Sequence, residues 1–292
     1  MKTEFYKNNP AGFWNDTIDI LIENEAQNAI IIKCAQIFKN GHGADDWYFV
    51  TVKDDNGGVI LSASCTPPFN VVIYGTGNKI DESAVELLVK ELFNAGCILN
   101  GVTGEKVLAE MFCGYYKKLA NKYSQIKVRL NSMVLKELSD ISISDLSPGY
   151  LREITEEDLC FTPYWNKEFA IDCHLDLETG DIAGYAENHK NQIGKNLLYV
   201  WVDKTPVSMA GLGNPMPNGA HIGRVYTPPH YRNKGYGTAC VWHLSELLLN
   251  KGNKFVSLFA DADYPVSNKI YQKIGFRNVC LYQEMRFEDK II

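Results

Sequence analysis

The chain has 292 residues, enough for two domains that each bury a core. Its hydrophobic fraction of 46% and charged fraction of 22% are those of an ordinary globular protein. A net charge of −6 argues against a general nucleic-acid binder, so a polyanion would have to be held by local geometry.

Residues 16–38 read as helical, with Ile18, Ile22, Ile30, Ile31, Cys34, Ile37 and Phe38 on one face and Asn28 as a cap between two segments. A hairpin follows: 46–53, a turn at Asp54-Asp55-Asn56-Gly57-Gly58, and 59–65. Pro67-Pro68 ends it, and 71–74 reads as a further strand. Val85, Leu88, Val89 and Leu92 mark a helix over 82–94. Residues 97–100 read as a short strand, and Thr103 as the cap of a helix to about Ala120. Gly101-Val102-Thr103-Gly104 before that helix fits a glycine turn better than a second phosphate loop, since it matches no Walker sequence.

A long strand over 126–138 leads to 139–149, SDISISDLSPG, whose polar run and terminal Pro-Gly read as a linker. Beyond it the expected elements are a strand at 151–154, a helix start with acids in its first turn at Thr155-Glu156-Glu157-Asp158, and helix through Trp165 and Phe169. A shorter helix at 181–190, a hairpin of 197–202 and 207–212, and a strand at 220–226 follow. The remainder reads as a loop, a helix, a strand at 255–259, a helix at 265–274 and a strand at 279–287.

Eight cysteines are scattered without a C-x-x-C, mostly among apolar neighbours, and read as reduced structural thiols. No metal site is expected. The N-terminal MKTEFYKNNP has no apolar core, and no run reaches the ~18 apolar residues that cross a bilayer, so the expected compartment is the cytoplasm.

The most informative stretch is 222–249. A strand enters a polar loop, Arg232-Asn233-Lys234-Gly235-Tyr236-Gly237, and an amphipathic helix leaves it. The first amides of that helix and the positive end of its dipole would face the loop, and glycine lets backbone close around a phosphate. Arg232 and Lys234 add positive charge. Arg/Gln-x-x-Gly-x-Gly/Ala between a strand and a helix resembles the acyl-CoA pyrophosphate loop of the GNAT superfamily of N-acyltransferases. The lead-in Val225-Tyr226-Thr227-Pro228-Pro229 and the later Ser267-Asn268-Lys269-Ile270-Tyr271-Gln272-Lys273-Ile274-Gly275-Phe276, about 35 residues on, are similar to the same family.

The resemblance implies an α/β (α+β) fold of two GNAT-like domains, each a mixed, mostly antiparallel sheet flanked by helices. Residues 150–292 would form the acetyltransferase domain. Residues 1–138 would be a degenerate copy, as in tandem-GNAT proteins, whose N-terminal halves the Thr66-Pro67-Pro68-Phe69 stretch is also similar to. The cofactor implied is acetyl-CoA. Its pantetheine arm would lie along a splayed strand at Val225, Tyr226 and Thr227, and its diphosphate would take amides from Arg232 through Thr238, that is Arg232, Asn233, Lys234, Gly235, Tyr236, Gly237 and Thr238.

Tyr271 matches the family's tyrosine that gives the departing thiolate its proton. A phenol near pKa ~10 holds that proton at neutral pH. Asn268, one turn earlier, is a candidate for the pantetheine amide. Where many relatives carry Asn seven residues before the tyrosine, this chain has Tyr264, which puts that contact in doubt. Residues 219–231 contain no Asp or Glu, so the base is open among His221, His230, Glu168, Asp172 and water. His243 and the five tryptophans read as packing.

The expected activity is direct transfer of an acetyl group to a primary amine. The alternative is an acyl-CoA sensor that kept the fold and lost the reaction. The acidic composition mildly favours a basic small-molecule acceptor such as a polyamine or aminoglycoside. The N-terminal half would close one side of the acceptor cleft or support a homodimer.

Overall fold

The computed structural model describes residues 1–77, 79–140, 147–173, 181–213 and 216–289. In chain order the elements are β1 (Lys2–Phe5), α1 (Pro10–Glu23), α2 (Glu25–Lys39), β2 (Tyr48–Lys53), β3 (Val59–Cys65), β4 (Val71–Gly75), α3 (Glu82–Asn94), β5 (Gly101–Glu105), α4 (Lys106–Ala120) and β6 (Lys122–Leu135). Then come β7 (Tyr150–Glu153), α5 (Thr162–Asp172), α6 (Ile182–Lys190), β8 (Leu198–Asp203), β9 (Thr205–Leu212), β10 (Gly219–Tyr226), α7 (Tyr236–Asn250), β11 (Phe255–Asp261), α8 (Pro265–Ile274) and β12 (Arg277–Asp289). They form two compact units, one of Met1–Ser132 with Val279–Ile292 and one of Met133–Asn278. The division falls inside β6 and β12. It therefore differs from the expected break at 139–149, of which 141–146 lie outside the described residues.

In the first unit the strand order is β1-β2-β3-β4-β5-β12-β6. The pairings from β1 to β4 are antiparallel, and β4 runs parallel to β5. Alternation sorts the sheet's side chains. Val71 and Ile73 pack with α3 and α4, while Val72 and Tyr74 turn to α1 and α2, where Phe38 stacks on Phe49 with ring centroids 4.5 Å apart. Asp81 caps α3 by accepting from the amides of Ser83 and Ala84.

Four expectations are corrected in this unit. Asn28 does not cap a helix: the break lies at Asn24, and Asn28 is buried in α2, where its Nδ2 donates to the Leu21 carbonyl at 3.0 Å. Residues 97–100 are not a strand and Thr103 is not a cap. The strand is β5 itself, because the glycines of GVTG are needed inside the sheet: a Cβ at Gly101 would fall 2.1 Å from the Met285 carbonyl. The glycine-turn reading of that tetrapeptide falls with them.

In the second unit the order is β6-β11-β10-β9-β8-β7, antiparallel from β7 to β10 and parallel between β10 and β11. Leu198, Val200 and Val202 of β8 face α5 and α6; Tyr199 and Trp201 face α7 and α8. Thr155 and Asp158 form a capping box ahead of α5, and Arg152 pairs with Asp158 at 2.5 Å.

Candidate functional site

The parallel ladder between β10 and β11 is short. Gly219, Ala220 and His221 pair with Phe255, Val256 and Ser257, and beyond them the two strands share no further pairs. The pairing of these two adjacent parallel strands thus ends at His221 and Ser257. On its other edge β10 carries a bulge between Gly223 and Tyr226, with Arg224 at φ 51°. The extra residue reverses the alternation: Ile222 packs against α7, but Tyr226, four residues on, packs on the α5 and α6 side.

Past the bulge, Tyr226 and Thr227 are fixed to β9. Ser208 Oγ donates to the Tyr226 carbonyl at 3.1 Å and lies 2.9 Å from Thr227 Oγ1. Pro228 and Pro229 lead through a short turn to the exposed loop 232–235. Gly235 is the N-cap of α7 with φ 79°, a conformation suited to glycine, and no side chain caps this helix. The first amide with a helical partner is that of Ala239, which donates to the Gly235 carbonyl at 3.0 Å. Among the described residues, the amides of Asn233, Lys234, Gly235, Tyr236, Gly237 and Thr238 have no partner in the protein. Six donors thus gather at the positive end of a fifteen-residue helix.

The surrounding side chains hold this loop. Arg232 donates from Nε to the Thr227 carbonyl at 2.9 Å and pairs with Asp172 at 2.7 Å. Tyr236 donates to Asp203 at 2.6 Å, and Lys234 Nζ lies 5.8 Å from the centre of the Tyr231 ring. Ser147 donates to the Lys234 carbonyl, a contact that 87 residues of separation hide from a reading of the sequence.

Tyr271 projects from α8 into the core beside α7 and meets Phe276 edge-on at 6.0 Å. Burial above all, with Cys173 and Cys240 nearby, pushes its phenol far above the usual 10.0. Asn268 is buried on the same helix, and its Nδ2 donates to the carbonyls of Asp261 at 2.6 Å and Tyr264 at 2.9 Å, which ties the turn between β11 and α8. Tyr264 itself is exposed.

Of the candidate bases, His221 sits at the last rung of the β10–β11 ladder with Nδ1 3.1 Å from Ser257 Oγ; burial lowers its pKa to about 4. His230 is exposed against Tyr231, Glu168 is exposed, and Asp172 is taken by Arg232. His243 stacks on Trp201 at 4.9 Å. Among the described residues no cluster of His, Cys, Asp and Glu suits a metal ion, and no helix is long and apolar enough to cross a membrane. All eight cysteines are free, six of them buried.

Residues 142–276 match the acetyltransferase (GNAT) family. This part of the chain is a GNAT domain. The whole chain shares its fold with solved GNAT proteins. A GCN5-related N-acetyltransferase from Sphaerobacter thermophilus is 12% identical, with 99% of this chain and 97% of that one covered and a TM-score of 0.62. A GNAT-family acetyltransferase from Colwellia psychrerythraea is also 12% identical, covering 99% and 100%, with a TM-score of 0.55. The tandem GNAT protein of the clavulanic acid biosynthesis pathway, solved without acetyl-CoA, is 12% identical over 98% of both chains, with a TM-score of 0.53. At these identities the likeness is one of fold, and it extends to the tandem arrangement. No curated protein is matched by the sequence.

Proposed function

We propose that the GNAT domain binds acetyl-CoA and transfers its acetyl group to a primary amine. The observation that carries this reading is the set of unpartnered amides from Asn233 to Thr238 at the N-terminus of α7, beside a splayed pair of strands. The diphosphate takes those donors, each worth ~1.5–3 kcal/mol to a charged oxygen, with Arg232 and Lys234 adjacent. The pantetheine arm follows Val225, Tyr226 and Thr227 into the splay. Asn268 serves the site by holding the turn before α8.

In the reaction, the amine nitrogen attacks the thioester carbonyl carbon and the carbonyl electron pair moves to oxygen. As that pair returns, the carbon–sulfur bond breaks and the Tyr271 phenol protonates the leaving thiolate. Burial raises its pKa, which keeps the phenol protonated at neutral pH and also makes it a weaker acid than a free phenol. His221, neutral and feebly basic at a pKa of about 4, is a poor acceptor for the amine proton, which this reading gives to solvent.

The lack of a carboxylate over 219–231 is the feature that favours the second reading, a protein that binds acyl-CoA without turning it over. Calorimetry with acetyl-CoA, then thiol release across a panel of amines, tests both. Binding with release on one amine class supports the transferase; binding with no release supports the sensor; no binding removes both.

A further inference from the structure

Arg224 is a cation in an enclosed place with no counter-charge. Its guanidinium lies on β9, where a Cβ at Gly211 would come 2.6 Å from Nε. Nη1 donates to Gln192 Oε1 at 3.2 Å, and Nη2 to the carbonyls of Leu212 at 3.1 Å and Leu197 at 3.4 Å. All three acceptors are neutral. The ion-paired arginines of this unit are Arg152 and Arg232, and Arg224 has no ion pair among the described residues. A guanidinium has five N–H donors, so two remain uncommitted. Enclosing a charge without an opposite one is unfavourable unless a ligand completes the set.

A second orphan lies nearby. His189 is fully buried, its Nδ1 is 3.0 Å from Thr162 Oγ1, and its Nε2 has no partner. Burial and the charge of Arg224 hold the ring neutral, at a pKa of about 4. In the tautomer in which Thr162 donates to Nδ1, the ring proton sits on Nε2 and is a second unused donor.

Both groups belong to the α5 and α6 side of the sheet. Tyr271, α7 and α8 pack on the opposite side, and this inference brings the acceptor to the side on which Arg224 lies. We propose that Arg224, with His189 beside it, recognises a carboxylate on the acyl acceptor, so that the acceptor is an amine that also bears a carboxylate. This rests on the reading of the domain as an acetyltransferase. It reverses the inference drawn from net charge: fields are screened within ~8 Å at physiological salt, so an enclosed local cation outweighs the acidity of the chain.

The test uses matched acceptors, amino acids each beside its own carboxamide, with spermidine as the cationic comparison. Acetyl-CoA affinity is measured separately by calorimetry. The wild-type protein should use a carboxylate-bearing amine at least about tenfold better in kcat/KM than its amide. In Arg224→Met that preference should shrink to within about twofold through KM, with acetyl-CoA affinity unchanged, and Arg224→Lys should keep part of it. Because the comparison is made first on the wild type, it survives a poorly folded variant. Equal or better use of the amides or spermidine overturns the proposal, as does release with no carboxylate-bearing amine while acetyl-CoA binds. Failure of acetyl-CoA to bind overturns the transferase reading and this one together.

Discussion

In the proposed reaction Tyr271 holds its proton until sulfur leaves, and then gives it up. Burial keeps the phenol protonated well beyond the neutral range, so no falling limb of kcat from this group is expected below about pH 10. Tyr271→Phe should lower kcat about 100-fold, the scale of general acid catalysis, while acetyl-CoA affinity stays within about twofold. Stopped-flow thiol release and calorimetry check the two halves, and unchanged turnover would remove Tyr271 from the chemistry. Two histidines make a different statement. His189 and His221 are both held at about 4 in the fold against an ordinary 6.5. Between those values the unfolded chain binds more protons than the folded one, so stability falls as pH drops from 6.5 towards 4. Urea midpoints taken at several pH values should show this slope, and His189→Gln with His221→Asn should flatten it. Carboxylates such as Asp158, whose pKa is lowered mainly by Arg152 and the Thr155 amide against its burial, act below that window.

At the scale of elements, α3 and α7 make an instructive pair. Each follows a strand and a glycine-bearing loop, but α3 is closed by its own Asp81 carboxylate, whereas α7 starts at Gly235 and keeps its amides open. Gly235→Ala forces a φ of 79° on a residue with a Cβ and drives that Cβ to 2.6 Å from Ser147 Oγ. A cost of about 1–2 kcal/mol follows from the backbone alone, and acetyl-CoA affinity should fall about tenfold as the amides shift. Asp81→Ala should cost about 1 kcal/mol, some 2–4 °C in thermal midpoint, and leave acetyl-CoA affinity untouched. Thermal melts with and without acetyl-CoA separate the two variants. The elements that the sequence showed are those with local punctuation. Pro265 and Gly275 bracket α8, and Asp81 announces α3. Those missed depend on distant partners: β1 is a strand because β2 lies beside it, and β5 needs glycine because Met285 passes at contact distance. The site divides the same way. Its loop is contiguous and was legible, whereas Ser147, His189 and the seat of Arg224 on Gly211 exist only once the chain is folded. Arg224 did leave one trace, the single charge in the run IGRVY.

At the scale of the whole molecule, the two units share a feature of architecture. Each unit contains a parallel strand pair whose ladder stops early: β4 and β5 share only Val71↔Val102 and Val72↔Thr103. In the first unit a cavity of about 580 Å³ opens beside those strands, lined by Ile73, Tyr74, Glu23 and Glu105. It has the room for a ligand but the wrong charge for a diphosphate, and the neighbouring helix terminus already has its anion in Asp81. The second unit has the reverse arrangement, an open terminus with Arg232 and Lys234 beside it. Acetyl-CoA should therefore bind once per chain, at the second unit, and calorimetric titration should give a stoichiometry of one. Gly235→Asp should abolish that event by supplying an internal carboxylate where the diphosphate belongs, much as Asp81 does in α3, and no residual site should emerge in the variant. A stoichiometry of two, or binding that survives Gly235→Asp, would place the cofactor in the first unit and undo the assignment of roles between the halves.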